Sequence, residues 1–195
     1  MKRSKLLMYI GSALILSLFI LPLWNITLEA PQYPEPLGLD IHINGLQDGN
    51  NPNDVKNIDL LNHYIGMKNL PKDMLEFDIF PIVIIVMSLL GFIAALTGKR
   101  KLFLTWVILM IILGTAGIYD FYIWLYDYGH NLDPNAILKF LDENGNPMAY
   151  QPPVIGTKKL LNFTVHSYPA SGAFVLALSM IFAFWAYIKA GKEKE

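Results

Sequence analysis

Four long uncharged stretches decide what this chain can fold into. They cover residues 6–24, 79–97, 102–119 and 169–188, with lengths of 19, 19, 18 and 20 residues. At about 1.5 Å of rise per residue, each forms a helix about 27 to 30 Å long, which matches the hydrocarbon core of a bilayer. The pattern predicts an α-helical integral membrane protein with four transmembrane helices.

Composition agrees with this class and excludes others. The chain is 54% hydrophobic and only 16% charged, with 15 basic and 16 acidic residues, so no basic excess points to nucleic acid as a partner. It has no cysteine, which excludes disulfides, thiolate nucleophiles, zinc knuckles and iron–sulfur clusters. The sequence shows no nucleotide-binding or hydrolase motif, and we expect a protein that is not an enzyme.

The first stretch has one alternative interpretation, a signal peptide. Lys2, Arg3 and Lys5 precede it, as a basic region precedes the apolar part of such a peptide. However, its apolar run exceeds the usual length of about 7 to 15 residues, and no A-x-A cleavage site follows. We therefore expect the stretch to be kept as a membrane anchor.

Basic residues predict the orientation. If the N-terminus is cytoplasmic, the inner segments carry nine bases and the much longer outer loops carry six. The nine inner bases are Lys2, Arg3, Lys5, Lys99, Arg100, Lys101, Lys189, Lys192 and Lys194. This asymmetry predicts a bacterial inner-membrane protein with both termini in the cytoplasm (N-in/C-in).

The predicted organisation places most of the non-membrane chain outside. Residues 1–24 form the first span, 25–78 the first outer loop, 79–128 the second span, a tight inner turn and a long third helix, 129–168 the second outer loop, and 169–195 the fourth span with its tail. The tight turn leaves no room for a cytoplasmic nucleotide site.

The outer loops have the patterns of folded structure. Residues 37–43 alternate as in a half-buried strand, with Asp40 and His42 on the polar face. A short helix capped by Asn53 or Asp54 is expected after them. In the second loop, 134–141 is predicted as a helix and 150–165 as extended chain. We expect the two loops to fold together as a small mixed α/β extracytoplasmic cap.

Soft metal donors in the outer loops make a candidate copper site. His63 and Met67 are four residues apart, so both project from one face if the segment is helical. Imidazole with thioether suits Cu(I), and His42, His130 and Met148 are further donors that can complete the site. The alternative is a core methionine and an ordinary hydrogen-bonded histidine.

The third helix has its own alternatives. Its sequence runs on without a helix breaker to Tyr128, so the helix is expected to project beyond the headgroups into the cap. Asp120 is the acid nearest the apolar core, which makes it either a proton-accessible group or part of a docking surface. The alternative is an interfacial aromatic belt with acids in the wet headgroup zone.

Four segments carry a resemblance to a known group of proteins. They are 31–34 (PQYP), 60–68 (LLNHYIGMK), 126–132 (YDYGHNL) and 148–156 (MAYQPPVIG), and in them the chain resembles small four-helix membrane proteins encoded beside clade II (atypical) nitrous-oxide reductases in bacteria such as Bacteroidetes. The likeness runs over most of the chain. It implies a context of copper delivery and electron transfer to a periplasmic copper enzyme, in denitrification, but no established catalytic residue.

Three functions remain open at this point. The first is an accessory membrane protein for a periplasmic copper enzyme, in maturation, copper handling or anchoring. The second is a subunit of a membrane electron-transfer complex that holds no redox centre and offers a quinol-side surface around Asp120, Tyr122 and Trp124. The third is a structural membrane protein whose cap binds another partner or lipid.

Overall fold

The computed structural model describes residues 2–138, 141, 145 and 148–193. The helices are α1 Arg3–Leu14, α2 Asp54–Ile65, α3 Leu75–Thr97, α4 Arg100–His130 and α5 Ser171–Lys192, and a 3-10 helix, Ile15–Phe19, follows α1 directly. The strands are β1 Trp24–Glu29, β2 Leu37–His42, β3 Gly45–Asp48, β4 Gly156–Leu160 and β5 Phe163–Pro169.

Three of the four predicted spans are long helices. In the described residues, α3, α4 and α5 are long and apolar enough to cross a membrane, with 23, 31 and 22 residues. Between α3 and α4 lies the predicted tight turn, where Gly98 takes a φ of +67°. The long third helix, which ends two residues beyond the predicted Tyr128, is confirmed, and the length and composition of the three helices agree with the predicted membrane class.

The prediction of a fourth long helix at residues 6–24 is wrong. After 12 residues α1 tightens into the 3-10 helix, and the Ser17 hydroxyl donates a hydrogen bond to the Leu14 carbonyl. Pro22 then disfavours a helical conformation at the residue before it, and Trp24 already belongs to β1. The apolar run therefore contains a short helix, a tighter turn and the start of a strand.

Small residues allow this N-terminal segment to pack closely within the helix bundle. Ser88 in α3 donates a 2.9 Å hydrogen bond to the Ser12 carbonyl, and Ser179 in α5 donates one of 2.7 Å to the Gly11 carbonyl. Gly91 lies against the Ser12 side chain. Close backbone approach through small residues, with serine hydroxyls on carbonyls, is typical of membrane helix packing.

The termini meet the α3–α4 turn at one end of the bundle. The Ser4 hydroxyl donates a hydrogen bond to the Glu193 carboxylate. The Lys5 ammonium donates to the Leu96 carbonyl at 2.6 Å. The Arg100 guanidinium lies 4.3 Å from the centre of the Tyr187 ring. The N-terminal segment runs from this contact with Glu193 to Pro22, whose carbonyl accepts from Gly172. It therefore extends along most of α5.

The two loops that were predicted to lie outside form one antiparallel sheet at the opposite end of the bundle. Its strand order is β3-β2-β1-β5-β4, so the pairing of β1 with β5 joins the first loop to the second. The inner face packs on α2 and on the last turns of α4, where Leu125 and Tyr128 are buried. The prediction that the loops fold together as a mixed α/β cap is confirmed.

Local predictions within the cap have mixed outcomes. The strand at 37–43 and the helix after Asn53 are confirmed, but Asn53 makes no side-chain cap. Asp48 does this instead, because its carboxylate accepts hydrogen bonds from the Asn53 and Val55 amides at 3.0 and 2.8 Å. The Asp54 carboxylate is buried and bonds the preceding loop.

The predicted helix at 134–141 does not form over residues 134–138, and 139–140 lie outside the described residues. The backbone there is bonded to the end of α2: the Asp133 amide donates to the Gly66 carbonyl at 2.8 Å, and the Leu138 amide donates to the Tyr64 carbonyl at 2.9 Å. These bonds replace those of a helix. The extended chain predicted at 150–165 contains β4 and the first part of β5.

Candidate binding cavity and the predicted metal ligands

His63 and Met67 do not share a helical face. The helix α2 ends at Ile65 because Gly66 takes a left-handed conformation, with a φ of +80°, and the Met67 amide bonds back to the Asn62 carbonyl at 2.9 Å. This reversal is a common way for a glycine to end a helix. Met67 is half-buried against the cap core, and His63 is exposed.

The other predicted donors lie on separate elements. His130 ends α4, exposed, with its ring stacked on Tyr126 at 4.0 Å and its Nδ1 2.9 Å from the Tyr126 carbonyl. Met148 lies, half-buried, in the second loop outside any strand, and His42 ends β2.

The helical face that His63 and Met67 were predicted to share does not form, because α2 ends between them. The described part of the chain gathers no group of three or more histidine, aspartate or glutamate side chains that could hold a metal ion. Without the shared helical face, the pairing of His63 with Met67 loses its geometric basis. Copper binding stays a prediction that rests on residue types and on the resemblance.

His42 has an unusual environment for a strand residue. The alternation of β2 placed it on the polar face, yet it is only 6% exposed, and its Nδ1 has no hydrogen-bond partner among the described residues. Burial lowers the pKa of His42, and the nearby charge of Asp40 opposes this effect. The imidazole is therefore held neutral at neutral pH, with a lone polar atom inside the protein.

A large cavity lies beside His42, where the bundle meets the cap. Its volume is about 810 Å³. The first half of α3 and residues 110–124 of α4 form two of its walls, and the rest comes from β2 with the chain after it, the residues just before β1 and the first turns of α5. Most of the lining is aliphatic or aromatic. Concave apolar sites with a few polar groups are the usual form of small-molecule sites.

The polar residues of the cavity lie at the end nearer the cap. Glu76 lies in the first turn of α3, Asp120 and Trp124 lie in the outer part of α4, and all three line the cavity with His42. The indole Nε1 of Trp124 is buried and has no partner among the described residues. Asp120 and Trp124 were singled out from the sequence, whereas Glu76 and the burial of His42 were missed.

Tyr122 and Asp127, the other polar residues of this helix end, lie elsewhere. Tyr122 is 42% exposed and does not line the cavity. The Asp127 carboxylate forms a 2.6 Å ion pair with Lys68, and the Tyr128 hydroxyl donates to the Asn69 carbonyl. These contacts tie the projecting end of α4 to the chain that follows α2.

A polar chain on the outer face of the sheet was also missed. The His166 ring bridges Glu29 and Thr157, with Nε2 at 3.3 Å from the Glu29 carboxylate and Nδ1 at 2.8 Å from the Thr157 hydroxyl. Thr27, His166 and Thr157 are directly opposite one another on β1, β5 and β4, so sheet register produces this row. It lies on an exposed face and gives the cap a hydrogen-bonding surface.

We compared the chain with known protein families and curated proteins. No protein-family model matches the chain, and no curated protein is similar enough to count as a match.

Proposed function

We propose that the protein is a non-catalytic accessory protein of the bacterial inner membrane that holds a partner protein at the outer surface. The observation that carries this proposal is the direct connection of the cap to the bundle. The Ala170 amide donates to the Leu23 carbonyl at 3.0 Å, and the Gly172 amide donates to the Pro22 carbonyl at 2.8 Å. Both flanks of the sheet therefore continue into helices without a flexible linker, which suits a fixed docking platform.

The orientation in this proposal follows the basic residues. The end of the bundle that holds Lys5, Arg100 and the C-terminal turn faces the cytoplasm, and the sheet faces outward. The N-terminal segment crosses the membrane beside α5 as a fourth, broken crossing. Its roughly 28 Å length, from 12 α-helical and five 3-10 residues, supports this arrangement.

The partner we propose is a periplasmic copper enzyme of the nitrous-oxide reductase type, which the protein anchors or helps to mature. The resemblance supports this identity. The polar chain of Glu29, His166 and Thr157 supports a polar contact with the partner, because non-obligate interfaces are no more apolar than the rest of a protein surface. No step in this proposal depends on copper held by His63 or Met67.

A second candidate function is a subunit of a membrane electron-transfer complex that holds no redox centre of its own. The cavity favours it, since Asp120 and Trp124 line an apolar space at the outer end of the bundle. Co-purification of a cytochrome with the detergent-solubilised protein, in place of a copper enzyme, supports this candidate over the first.

Deletion of the gene in the native host tests the proposal. We expect the fraction of the copper enzyme that sediments with membranes, or its copper content, to fall, and the parent gene to restore it. A variant with Thr27→Arg and His166→Glu on the outer face is expected to fail in restoration, whereas Lys101→Gln at the opposite end restores fully. Unchanged membrane association and unchanged copper content after deletion contradict the proposal.

A further inference from the structure

The cavity opens sideways between α3 and α4, on a face of the bundle that the proposed function places in the bilayer. Gly114 and Gly117 of α4 line it, and apart from the helix's own backbone no atom of the described residues lies within 4 Å of the position where a side chain would begin at either residue. Next to them, Ile118 and Tyr119 are 46% and 66% exposed, and Ile79 across the cavity on α3 is 43% exposed. A molecule dissolved in the bilayer therefore reaches the cavity sideways, between α3 and α4.

Two residues that line the cap end of the cavity carry buried polar atoms with no hydrogen-bond partner in the described part of the chain. His42 is more than nine-tenths buried, with an unpaired Nδ1, and the Trp124 Nε1 is likewise unpaired among the described residues. Buried polar atoms normally have partners. Glu76 and Asp120 add two carboxylates, which accept hydrogen bonds when ionised. This end is therefore built to receive a polar group that both donates and accepts.

The charges of the lining decide between possible head groups. Among the described residues, the cavity lining contains two acids and no lysine or arginine. A phospholipid would place its phosphate next to these carboxylates with no cation to pair with it, which is unfavourable at low dielectric. A neutral head with hydroxyl or carbonyl groups avoids this cost.

The shape of the lining favours an aromatic head. Phe77, Phe80 and Phe121 line the cavity near its polar groups, and Val83 and Leu113 line it deeper in the bundle. Aromatic side chains pack favourably on a planar ring, and the deeper aliphatic part suits an isoprenoid or alkyl tail. The volume of about 810 Å³ lies within the usual range of small-molecule sites, roughly 300 to 1,000 Å³.

We infer that this cavity binds a neutral membrane amphiphile of the quinone and quinol class, with its ring at His42, Trp124, Asp120 and Glu76 and its tail between α3 and α4. Quinol hydroxyls donate to the carboxylates or to the imidazole, and the Trp124 indole donates to a quinone oxygen. The inference concerns binding, and it holds whichever partner docks on the cap.

Binding is tested on the full chain in phosphatidylcholine nanodiscs, with decylubiquinol and decylubiquinone as probes and empty nanodiscs as the control for partition into lipid. We expect saturable retention of one probe molecule per chain. Gly117→Leu fills the open part of the cavity and His42→Phe removes the imidazole, and each is expected to weaken binding at least tenfold. Ala177→Leu, on an exposed position of α5 outside the cavity lining, is the matched control and leaves binding unchanged.

Three results overturn the inference. The first is retention by the parent no greater than that of empty nanodiscs. The second is binding by Gly117→Leu equal to that of the parent; this variant places its side chain in open space, so its folding is expected to be preserved and is checked by thermal unfolding without ligand. The third is stoichiometric displacement of the probe by phosphatidylglycerol or phosphatidylethanolamine, which would make the cavity a phospholipid site. None of these results bears on the docking function, which the deletion experiment tests separately.

Discussion

The indole of Trp24 donates a 2.9 Å hydrogen bond to the Ser167 hydroxyl, between residues 143 positions apart in the chain. Ser167 is fully buried, and its own hydroxyl donates to the Val154 carbonyl at 2.9 Å. One small side chain therefore connects the first strand of the cap, its last strand and the segment that precedes β4.

Loss of this hydroxyl is expected to weaken the cap. Ser167→Ala leaves the Trp24 indole N–H and the Val154 carbonyl without their partner, and an unsatisfied buried group costs about 1 to 3 kcal/mol. We expect a fall of this size in the free energy of unfolding, measured by denaturant titration in detergent. Ser171→Ala, at an exposed position, is the control and is expected to change it by less than about 0.5 kcal/mol.

Two glycines of neighbouring helices are expected to respond in opposite ways to alanine. A Cβ at Gly91 would overlap the Ser12 Oγ and lie 3.0 Å from the Trp106 Nε1. A Cβ at Gly114 meets no atom of the described residues within 4 Å, apart from the backbone of its own helix. Gly91→Ala therefore separates α1 from α3 and destabilises the bundle by about 1 to 3 kcal/mol. Gly114→Ala stabilises α4 by up to about 1 kcal/mol, because alanine favours the helix. The unfolding temperatures of both variants are measured in the same detergent. Equal shifts from the parent's unfolding temperature contradict the packing of α1 in the bundle.

The buried carboxylate of Asp54 is expected to be essential for the first outer loop. Its Oδ2 accepts hydrogen bonds from the amides of Gly38, Asn50 and Asn51 at 2.8, 3.1 and 2.8 Å. Asp54→Ala leaves three amides without their acceptor and is expected to cost on the order of 3 kcal/mol or more. Asp73→Ala, at an exposed site, is the matched control. Hydrogen exchange measures the effect locally: the Gly38 amide loses its protection in the first variant only.

The stability of the protein is expected to fall in mild acid, in part through His42. Burial holds the pKa of His42 below the model-peptide value of 6.5, so the unfolded chain binds the proton first as the pH falls. The contribution to stability is complete above about pH 6.5 and is lost as the pH falls towards the lower pKa of the folded state. The acids near this histidine are Asp40 on its own strand and Glu76 and Asp120 around the cavity.

The variant His42→Phe isolates this contribution. Ligand-free parent and variant are unfolded at pH 7.5 and pH 5.5, and the loss of stability between the two is expected to be smaller in the variant, since phenylalanine takes up no proton. An equal loss in both proteins contradicts the buried, neutral state of His42.

Apolar length predicted most of the fold, and its one failure has a local cause. Three uncharged runs are long helices because nothing interrupts them at the level of the backbone. In the first run, Pro22 and Trp24 are uncharged like the residues before them. The absence of charge therefore does not distinguish the start of the strand from the end of the helix. The pairing of β1 with β5 also escaped prediction, because contacts between distant strands leave no periodic signal in either strand alone.

Single residues of the cavity were singled out from the sequence, but the cavity itself was not predicted. Asp120 and Trp124 stood out because polar groups near a membrane core are uncommon. The prediction for His42 was wrong because β2 ends where the hydrophobic core of the cap meets that of the helix bundle. Leu39 packs in the first core and Ile43 packs in the second, so His42 is buried between them. The helical face predicted for His63 and Met67 is lost at Gly66, which ends α2 in a left-handed conformation. The other loop packs closely on this turn, because a Cβ at Gly66 would lie 2.7 Å from the Ala136 Cβ.

The central claim, that both long loops form one sheet outside the membrane, is tested most directly by paired cysteines in this cysteine-free chain. Thr27 and His166 are partners across β1 and β5, where Cα atoms are about 4.5 to 5.5 Å apart and a disulfide can form. Thr157 is one strand further away, about 9 to 10 Å from Thr27. We expect a disulfide in intact cells between Thr27→Cys and His166→Cys, and none between Thr27→Cys and Thr157→Cys. We also expect a membrane-impermeant thiol reagent to label the single Thr27→Cys variant without cell lysis. A free Thr27→Cys and His166→Cys pair, or labelling only after lysis, would contradict it.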